Sequence, residues 1–310
     1  MARCFVTRQL PGPALGRLAA VHRVEVWPGR LPPTPAELAG HVRPAEGLLS
    51  LLSDRIDADL IAQAPQLRAV SNYAVGYDNI DLKAAAARGI PVGHTPDVLT
   101  EATADLTFAL LLAAARKLPD GIQEVRSGQA LTWEPAHNLG TDAHGATLGI
   151  IGFGRIGHAV ARRAEGFAME ILTTTAGEPG ATEQLLERAD FVSLHCPLTP
   201  ETFHLIDAAA LERMKPTAIL INTARGPIVD QEALAQALHL GTIAGAALDV
   251  TDPEPLPPQD PLLDAPNLIV VPHIGSATRA ARERMADIAV ENLLAALDGQ
   301  PMPHPVPVAV

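Results

Sequence analysis

Three polar residues stand just past three apolar runs in the C-terminal half of the chain, and their types suit one kind of chemistry. Arg225 lies in Ile221-Asn222-Thr223-Ala224-Arg225-Gly226. Glu254 lies in Leu248-Asp249-Val250-Thr251-Asp252-Pro253-Glu254-Pro255. His273 lies in Val270-Val271-Pro272-His273-Ile274-Gly275-Ser276. An arginine presents a planar fork that grips a carboxylate through two hydrogen bonds. A histidine trades a proton with a reacting oxygen near neutral pH, and a carboxylate beside it orients the ring and stabilises the imidazolium. Together the three would hold an organic acid and move a proton at its carbonyl. Each also has a plainer reading: Arg225 as a surface helix cap, His273 as a satisfied loop histidine, Glu254 as a solvated charge.

A fourth stretch supplies what such chemistry lacks. The apolar run Ala146 to Ile151 ends in Gly152-Phe153-Gly154-Arg155-Ile156-Gly157, and helix-like sequence continues from His158. In this Gly-x-Gly-x-x-Gly loop, Gly152 allows the tight turn, Gly154 admits a pyrophosphate to the backbone, and Gly157 lets the helix pack against the strand. The first helical turn then offers free N–H groups to an anion. Strand before and helix after are the context the motif requires; a plain glycine turn is the alternative. Beside a nicotinamide, the arginine, carboxylate and histidine form a dehydrogenase constellation.

The elements that must carry these residues alternate along the chain. Cys4 to Val6, Val24 to Val26, Gly47 to Leu52 and Leu67 to Val70 read as buried strands. Asp57 to Ala64 and Asp81 to Arg88 read as helices capped by their first aspartates. Pro28 to Pro35 reads as a surface loop. Asp97 to Lys117 reads as one long helix limited by Pro96 and Pro119, bridging two domains. Ser127 to Gly145 is irregular. Further strands are expected at Thr147 to Ile151, Glu170 to Thr174, Phe191 to Leu194, Ala218 to Ile221, Ala244 to Leu248 and Leu268 to Val271, with helices between, such as Gln231 to Leu240. Ala277 to Leu297 reads as a helix returning to the first domain, and 301–310 as extended. The pattern is α/β, two doubly wound parallel-sheet domains: residues 1–96 with 281–310, and residues 97–280. The three polar sites then share one sheet edge. Tyr73-Ala74-Val75-Gly76-Tyr77-Asp78-Asn79-Ile80-Asp81 lies at a similar edge in the first domain, where a ligand loop and a capped turn are equally good readings.

Composition narrows the partners. The 310 residues carry a formal charge of -12, which argues against a nucleic-acid partner. Hydrophobic residues make up 47% and aromatic ones 3%, so aliphatic side chains and alanine must fill the cores. The run Phe108 to Ala115 is far too short for a bilayer, and the start lacks the apolar core of a signal peptide. Two cysteines, Cys4 and Cys196, fit a reducing, cytoplasmic setting rather than a disulfide framework. No membrane partner and no metal are expected.

Taken together, these stretches resemble the D-isomer-specific 2-hydroxyacid dehydrogenase family, matching Val75 to Asp81, Gly152 to Gly157, Asn222 to Gly226, Asp249 to Pro255 and Pro272 to Ser276 in order. Ser71 to Gly76 and Leu99 to Asp105 favour its glyoxylate/hydroxypyruvate reductase branch. The resemblance implies a flavodoxin-like substrate domain and a Rossmann cofactor domain with a cleft between, closing around the substrate. It implies that Arg225 binds the substrate carboxylate and keto oxygen, that the N–H groups of Val75 and Gly76 hold the carboxylate, that His273 is the general acid, and that Glu254 pairs with it. Leu52 and Tyr73 would face the small 2-keto acid. Asp249 would meet the nicotinamide carboxamide. Thr103, Arg155 and Ile156 would lie against the pyrophosphate, and Cys196, Pro197, Thr223 and Gly275 would also line the cofactor. A homodimer is implied, with the Asp97–Lys117 region as interface and Trp133 reaching the partner's site.

The NAD fingerprint expects an acid about 20 residues past the glycines, on the ribose 2′-OH. Here the second strand ends in Thr173-Thr174-Thr175-Ala176-Gly177, and Glu178 comes only after the turn. Without an acid the site admits a 2′-phosphate, held by hydroxyls and N–H groups of the turn, Thr174 and Thr175 among them. This favours NADP(H) over NAD(H), although the arginine that NADP-using members often carry here is missing. Three competing readings stand beside this one. A reductase for larger 2-keto acids shares the scaffold. Phosphite oxidation is disfavoured by Val75, where that branch has a lysine. A cofactor-sensing corepressor keeps the fold, but the compact ends favour a stand-alone enzyme.

Overall fold

The computed structural model describes residues 1–129, 132–175 and 179–307. Its elements run β1 (Arg3–Val6), α1 (Ala14–Val21), β2 (Arg23–Val26), α2 (Pro35–Val42), β3 (Gly47–Ser50), α3 (Ala58–Gln63), β4 (Ala69–Asn72), α4 (Leu82–Ala87), β5 (Val92–Gly93), α5 (Thr100–Ala115) and α6 (Leu118–Ser127). They continue with β6 (Thr147–Ile151), α7 (Arg155–Glu165), β7 (Glu170–Thr174), α8 (Pro179–Arg188), β8 (Phe191–Leu194), α9 (Ala208–Arg213), β9 (Ile219–Asn222), α10 (Gln231–Leu240), β10 (Gly245–Leu248), β11 (Leu268–Val270) and α11 (Arg279–Leu297). The chain divides into two compact units, Met1–Leu99 with Ala277–Val310, and Thr100–Ser276.

Among the described residues, the first unit holds a parallel sheet in the order β2-β1-β3-β4-β5. Every position of β3 and β4 is buried, because helices cover both faces, and such strands read as unbroken runs in the sequence. On one face, Val6 and Leu49 pack with Leu18 of α1 and with Met285, Ala289 and Leu293 of α11. On the other, Leu48 and Val70 pack with Leu38, Leu60 and Ile61. Asp57 and Asp81 cap α3 and α4, accepting from the N–H groups of Leu60 and Ala84 at 2.9 Å each. α2 begins in a capping box in which Thr34 and Glu37 serve each other's backbone, with Pro35 in the first turn where its missing N–H costs nothing. The fourth strand runs two residues later than Leu67 to Val70, so Asn72 is its C-terminal residue. Pro305 bridges Gly93, and the N–H of Val306 donates to the carbonyl of Val92 at 2.8 Å, which lays the C-terminal segment along the edge strand. The end of the stretch expected as extended, 308–310, lies outside the described residues.

The second unit holds a parallel sheet in the order β11-β10-β9-β8-β6-β7. The strand order reverses between β6 and β8, the place where open α/β sheets bind ligands at their C-terminal edge. Phe108 and Leu111 of α5 and Val160 of α7 pack on Ile150, Phe191 and Ile221. Leu186, Leu211 and Leu234 cover the opposite face against Val192 and Leu220. The stretch expected as one helix over Asp97 to Lys117 is shorter and is followed by a second helix. α5 ends at Ala115, Lys117 adopts a left-handed φ of 49°, and α6 starts at once with Pro119 in its first turn. Pro119 therefore opens a helix instead of closing one. Among the described residues, no helix is long and apolar enough to cross a membrane.

Candidate active site

The glycine loop joins β6 to α7 at the strand reversal. Gly152 has φ +94°, and a Cβ there would lie 2.4 Å from the backbone nitrogen of Cys196. A Cβ on Gly157 would lie 2.4 Å from the carbonyl oxygen of Gly152. Both glycines are thus fixed by close backbone approach. Gly154 differs: nothing lies within 4 Å of a Cβ built on it. The loop leaves open space at its middle glycine and closes around the other two, which is the cradle a pyrophosphate needs. Gly154 caps α7 with no side-chain hydrogen bond, so the first-turn N–H groups are open to an anion. Arg155 is exposed in that turn, Ile156 is half-buried, Cys196 is buried and Pro197 is exposed. These residues fit a dinucleotide.

At the same edge, the loops after β9, β10 and β11 interlock. A Cβ on Gly226 would lie 2.1 Å from the carbonyl oxygen of Thr251, so the first two loops pack backbone to backbone. Asn222, fully buried at the end of β9, accepts from the N–H of Ala224 at 3.0 Å and donates to the carbonyl of Arg225 at 2.8 Å. This curls the chain so that Arg225 leaves the strand half-buried, its guanidinium also donating to the carbonyl of Ala224 at 2.7 Å. Asp249 is buried at the end of β10 and accepts from the N–H groups of Ile274 at 2.6 Å and Gly275 at 2.8 Å. Burial raises its pKa, and those two N–H groups work against the rise. A Cβ on Gly275 would meet the Asp249 carboxylate at 3.0 Å and the Thr103 hydroxyl at 3.4 Å. Thr107 bridges α5 to the sheet, its hydroxyl lying 2.9 Å from the carbonyl of Thr103 and 3.0 Å from the Thr223 hydroxyl.

His273 is held in a left-handed conformation, φ 52°, which is rare for a residue with a side chain. Its N–H donates to the carbonyl of Asp249 at 2.8 Å. The ring Nδ1 lies 2.5 Å from Oε1 of Glu254, whose carboxylate is an acceptor, so Nδ1 carries the hydrogen and Nε2 is the nitrogen left to face a ligand.

In the first unit, Leu52 is partly exposed beyond β3, and Val75 and Gly76 are half-buried beyond β4. Tyr73 departs from expectation. Its side chain is 3% exposed and packs in the core, with the hydroxyl donating to the carbonyl of Arg282 at 2.7 Å. Tyr73 ties β4 to α11. Thr174 is also reassigned: it is buried, and its hydroxyl donates to the carbonyl of Thr175 at 3.2 Å, which leaves the exposed Thr175 as the hydroxyl open to a ligand. Ala176, Gly177 and Glu178 lie outside the described residues.

The sequence reading missed His195, at the C-terminal end of β8 beside Gly152. Its Nε2 lies 2.7 Å from the hydroxyl of buried Ser193, its Nδ1 is buried without a hydrogen-bond partner, and burial pushes its pKa down to about 3. The alternation Ser193, His195 on one face of a buried strand was the available signal.

The chain belongs to the D-isomer-specific 2-hydroxyacid dehydrogenase family, whose NAD-binding domain matches residues 108–275, and it is an oxidoreductase. Among its relatives is a glyoxylate reductase of Korarchaeum cryptofilum, 49% identical over 97% of this chain and 95% of that protein. Another, from Pyrococcus furiosus, is 46% identical over 96% of this chain and 93% of that protein. A crystal structure of a Thermus thermophilus protein is 52% identical, with a TM-score of 0.93 over 98% of this chain and all of that one. An NADPH-dependent glyoxylate/hydroxypyruvate reductase of Sinorhizobium meliloti, solved with NADP and malonate, is 33% identical, with a TM-score of 0.83 over all of this chain and 99% of that one.

His195 yields a pH test. Its folded-state pKa lies below the unfolded value of 6.5, so the unfolded chain takes up a proton first as the solution is acidified. The stability it contributes is whole above pH 6.5 and falls toward pH 3, with a slope of up to about 1.4 kcal/mol per pH unit. Urea unfolding of His195→Asn should show a flatter decline than wild type over that window; parallel curves would contradict the neutral, buried state.

Proposed function

We propose that the enzyme reduces a small 2-keto acid, glyoxylate or hydroxypyruvate, to its 2-hydroxy acid, using NADPH in preference to NADH. The observation that carries this reading is the His273–Glu254 pair at 2.5 Å, fixed through His273's backbone to the same Asp249 that braces the loop after β11. The relatives named glyoxylate reductase support the substrate class.

Hydride donation to the keto carbon is the chemistry a reduced nicotinamide supplies when bound. The chain's own residues do the rest. Arg225 binds the carboxylate and polarises the keto oxygen. His273 delivers a proton from Nε2 to that oxygen as it becomes negative, and Glu254 on Nδ1 stabilises the charged ring. Val75 and Gly76 hold the carboxylate through backbone N–H groups, with Leu52 beside a small substituent. Thr103, Arg155, Ile156, Cys196, Pro197, Thr223, Asp249 and Gly275 line the dinucleotide. The preference for NADPH rests on the absence of an acid at the end of β7 and on the exposed Thr175; the NADPH-dependent relative is consistent with it.

A homodimer in the cytoplasm completes the proposal. α6 buries none of its residues, and Leu118, Ile122 and Val125 recur along one face at helical spacing, Val125 70% exposed. Leu139, 65% exposed, lies beside Pro119 at the start of this helix, and Trp133 is 85% exposed. A second copy covers α6 in preference to α5, which spends Phe108 and Leu111 on its own unit's core.

Absorbance at the reduced-cofactor band should fall on adding glyoxylate or hydroxypyruvate, faster than with pyruvate, and kcat/KM should be higher for NADPH than for NADH. No turnover of any 2-keto acid would sink the reading, and a cofactor ratio below one would reverse the preference. His273→Ala should lower kcat by about 10²–10⁴-fold while NADPH affinity, measured by fluorescence titration, stays within about twofold. Loss of cofactor binding in a folded variant would remove His273 from the proton-transfer role. Light scattering should give twice the chain mass for wild type and a shift toward monomer for Val125→Asp; an unchanged mass would place the interface elsewhere.

A further inference from the structure

The loop after β4 has an ordered set of carbonyl attachments that bears on how the substrate acid is held. The N–H of Thr95 donates to the carbonyl of Ala74 at 2.8 Å. The ring Nδ1 of His94 lies 2.8 Å from the carbonyl oxygen of Val75; a carbonyl only accepts, so Nδ1 carries the hydrogen. The side-chain amide of Asn72 donates to the carbonyl of Gly76 at 2.9 Å. In a trans peptide the N–H points opposite to the C=O. The carbonyls of Ala74 and Val75 both point at the segment His94–Thr95, so the N–H groups of Val75 and Gly76 both point away from it. Among the described residues neither N–H donates to a backbone carbonyl. Two neighbouring N–H groups facing one way make a concavity for an anion.

His94 is itself anchored. Its N–H donates to the carbonyl of His304 at 3.1 Å, and its carbonyl accepts from the side-chain amide of Asn292 at 3.0 Å. Asn292, fully buried on α11, accepts in turn from the N–H of His304 at 2.9 Å. A Cβ on Gly93 would lie 2.7 Å from that amide, so the approach is as close as glycine permits. The His94 ring also meets the Tyr77 ring edge-on at 5.7 Å. A helix therefore fixes the backbone of His94, and the His94 ring fixes the peptide whose N–H belongs to Gly76.

We propose that His94 is a positioning residue for substrate binding: through the Val75 carbonyl it aims the Gly76 N–H at the substrate carboxylate. This rests on the reading above that Val75 and Gly76 hold that carboxylate. Its hydrogen bond needs one donor at the position of Nδ1. An asparagine places its Nδ2 on the same Cγ, so it reproduces the donor with a different shape, whereas alanine removes it and leaves the Val75 peptide free to turn.

The test uses the full-length enzyme with His94→Ala, His94→Asn and His94→Gln. Michaelis constants for glyoxylate are measured with saturating NADPH, and binding of oxamate, an unreactive carboxylate of similar size, is measured by calorimetry on the NADPH-loaded enzyme. Alanine should raise KM and the oxamate Kd by about tenfold or more, with kcat within about threefold and NADPH affinity unchanged. Asparagine should restore both to within about threefold of wild type, and glutamine, with its amide one carbon further out, should not. A purely structural role would lower thermal stability without this split and without rescue by asparagine. If alanine does not fold, the contrast between asparagine and glutamine carries the test. Wild-type KM and oxamate affinity in folded His94→Ala, or equal impairment in all three variants, overturns the role of His94. Failure of wild type to turn over any 2-keto acid is a separate result that strikes the functional reading, and the oxamate comparison is then still decisive for His94.

Discussion

Asp249 is almost wholly buried at the end of β10, and both of its carboxylate oxygens are engaged, one by the N–H of Ile274 and one by the N–H of Gly275. An unpaired charge there would cost several kcal/mol, so the carboxylate and the loop define each other. The loop satisfies the carboxylate, and the carboxylate holds the loop that carries His273. The same residue's carbonyl accepts from the N–H of His273, which stabilises a left-handed backbone that a histidine otherwise avoids. Side-chain chemistry at this edge is therefore set by main-chain hydrogen bonds one layer beneath it.

The first unit uses the same device with different residues. Asn72 ends β4, takes a hydrogen bond from Ser50 of the neighbouring strand, and donates to Gly76 and Asn79. Asn79 then donates to the carbonyls of Leu51 and Asp54, so two loops past adjacent strands are cross-linked by amides. Short amide side chains at strand ends can satisfy the carbonyls that a sheet leaves behind. Rigid strands and α11 thus supply geometry to loops that would otherwise be loose, which is how a site gains precision without being built on regular structure.

Much of this was legible in the chain because parallel strands covered on both faces are short apolar runs, as at Thr147–Ile151 and Phe191–Leu194. Glycine spacing around Gly152 and the polar residues past β9, β10 and β11 were legible for the same reason: strand ends are easy to find, and the loop just past each C-terminal end faces the ligand edge. The features that escaped were decided by contacts distant in sequence. β5 is two residues long and exists because β4 and the C-terminal segment flank it. α1 starts without a side-chain cap and gave no start signal. The break between α5 and α6 turns on the backbone of Lys117, which the apolar spacing on either side does not record. The capping box at Thr34 and Glu37 was a readable start that the surrounding prolines obscured.

The division of the chain also sets an order of events during synthesis. The second unit is continuous, from Thr100 to Ser276, whereas the first is assembled from Met1–Leu99 and Ala277–Val310. At about 5–20 residues per second, on the order of 10–40 s separates the emergence of β4 from that of α11. Throughout that interval Val6, Leu18, Leu49 and Tyr73 lack the Met285, Ala289 and Leu293 surface that covers them in the finished fold. The part of the protein that is begun first is completed last, so its half-built sheet is the species on which a ribosome-associated chaperone would act.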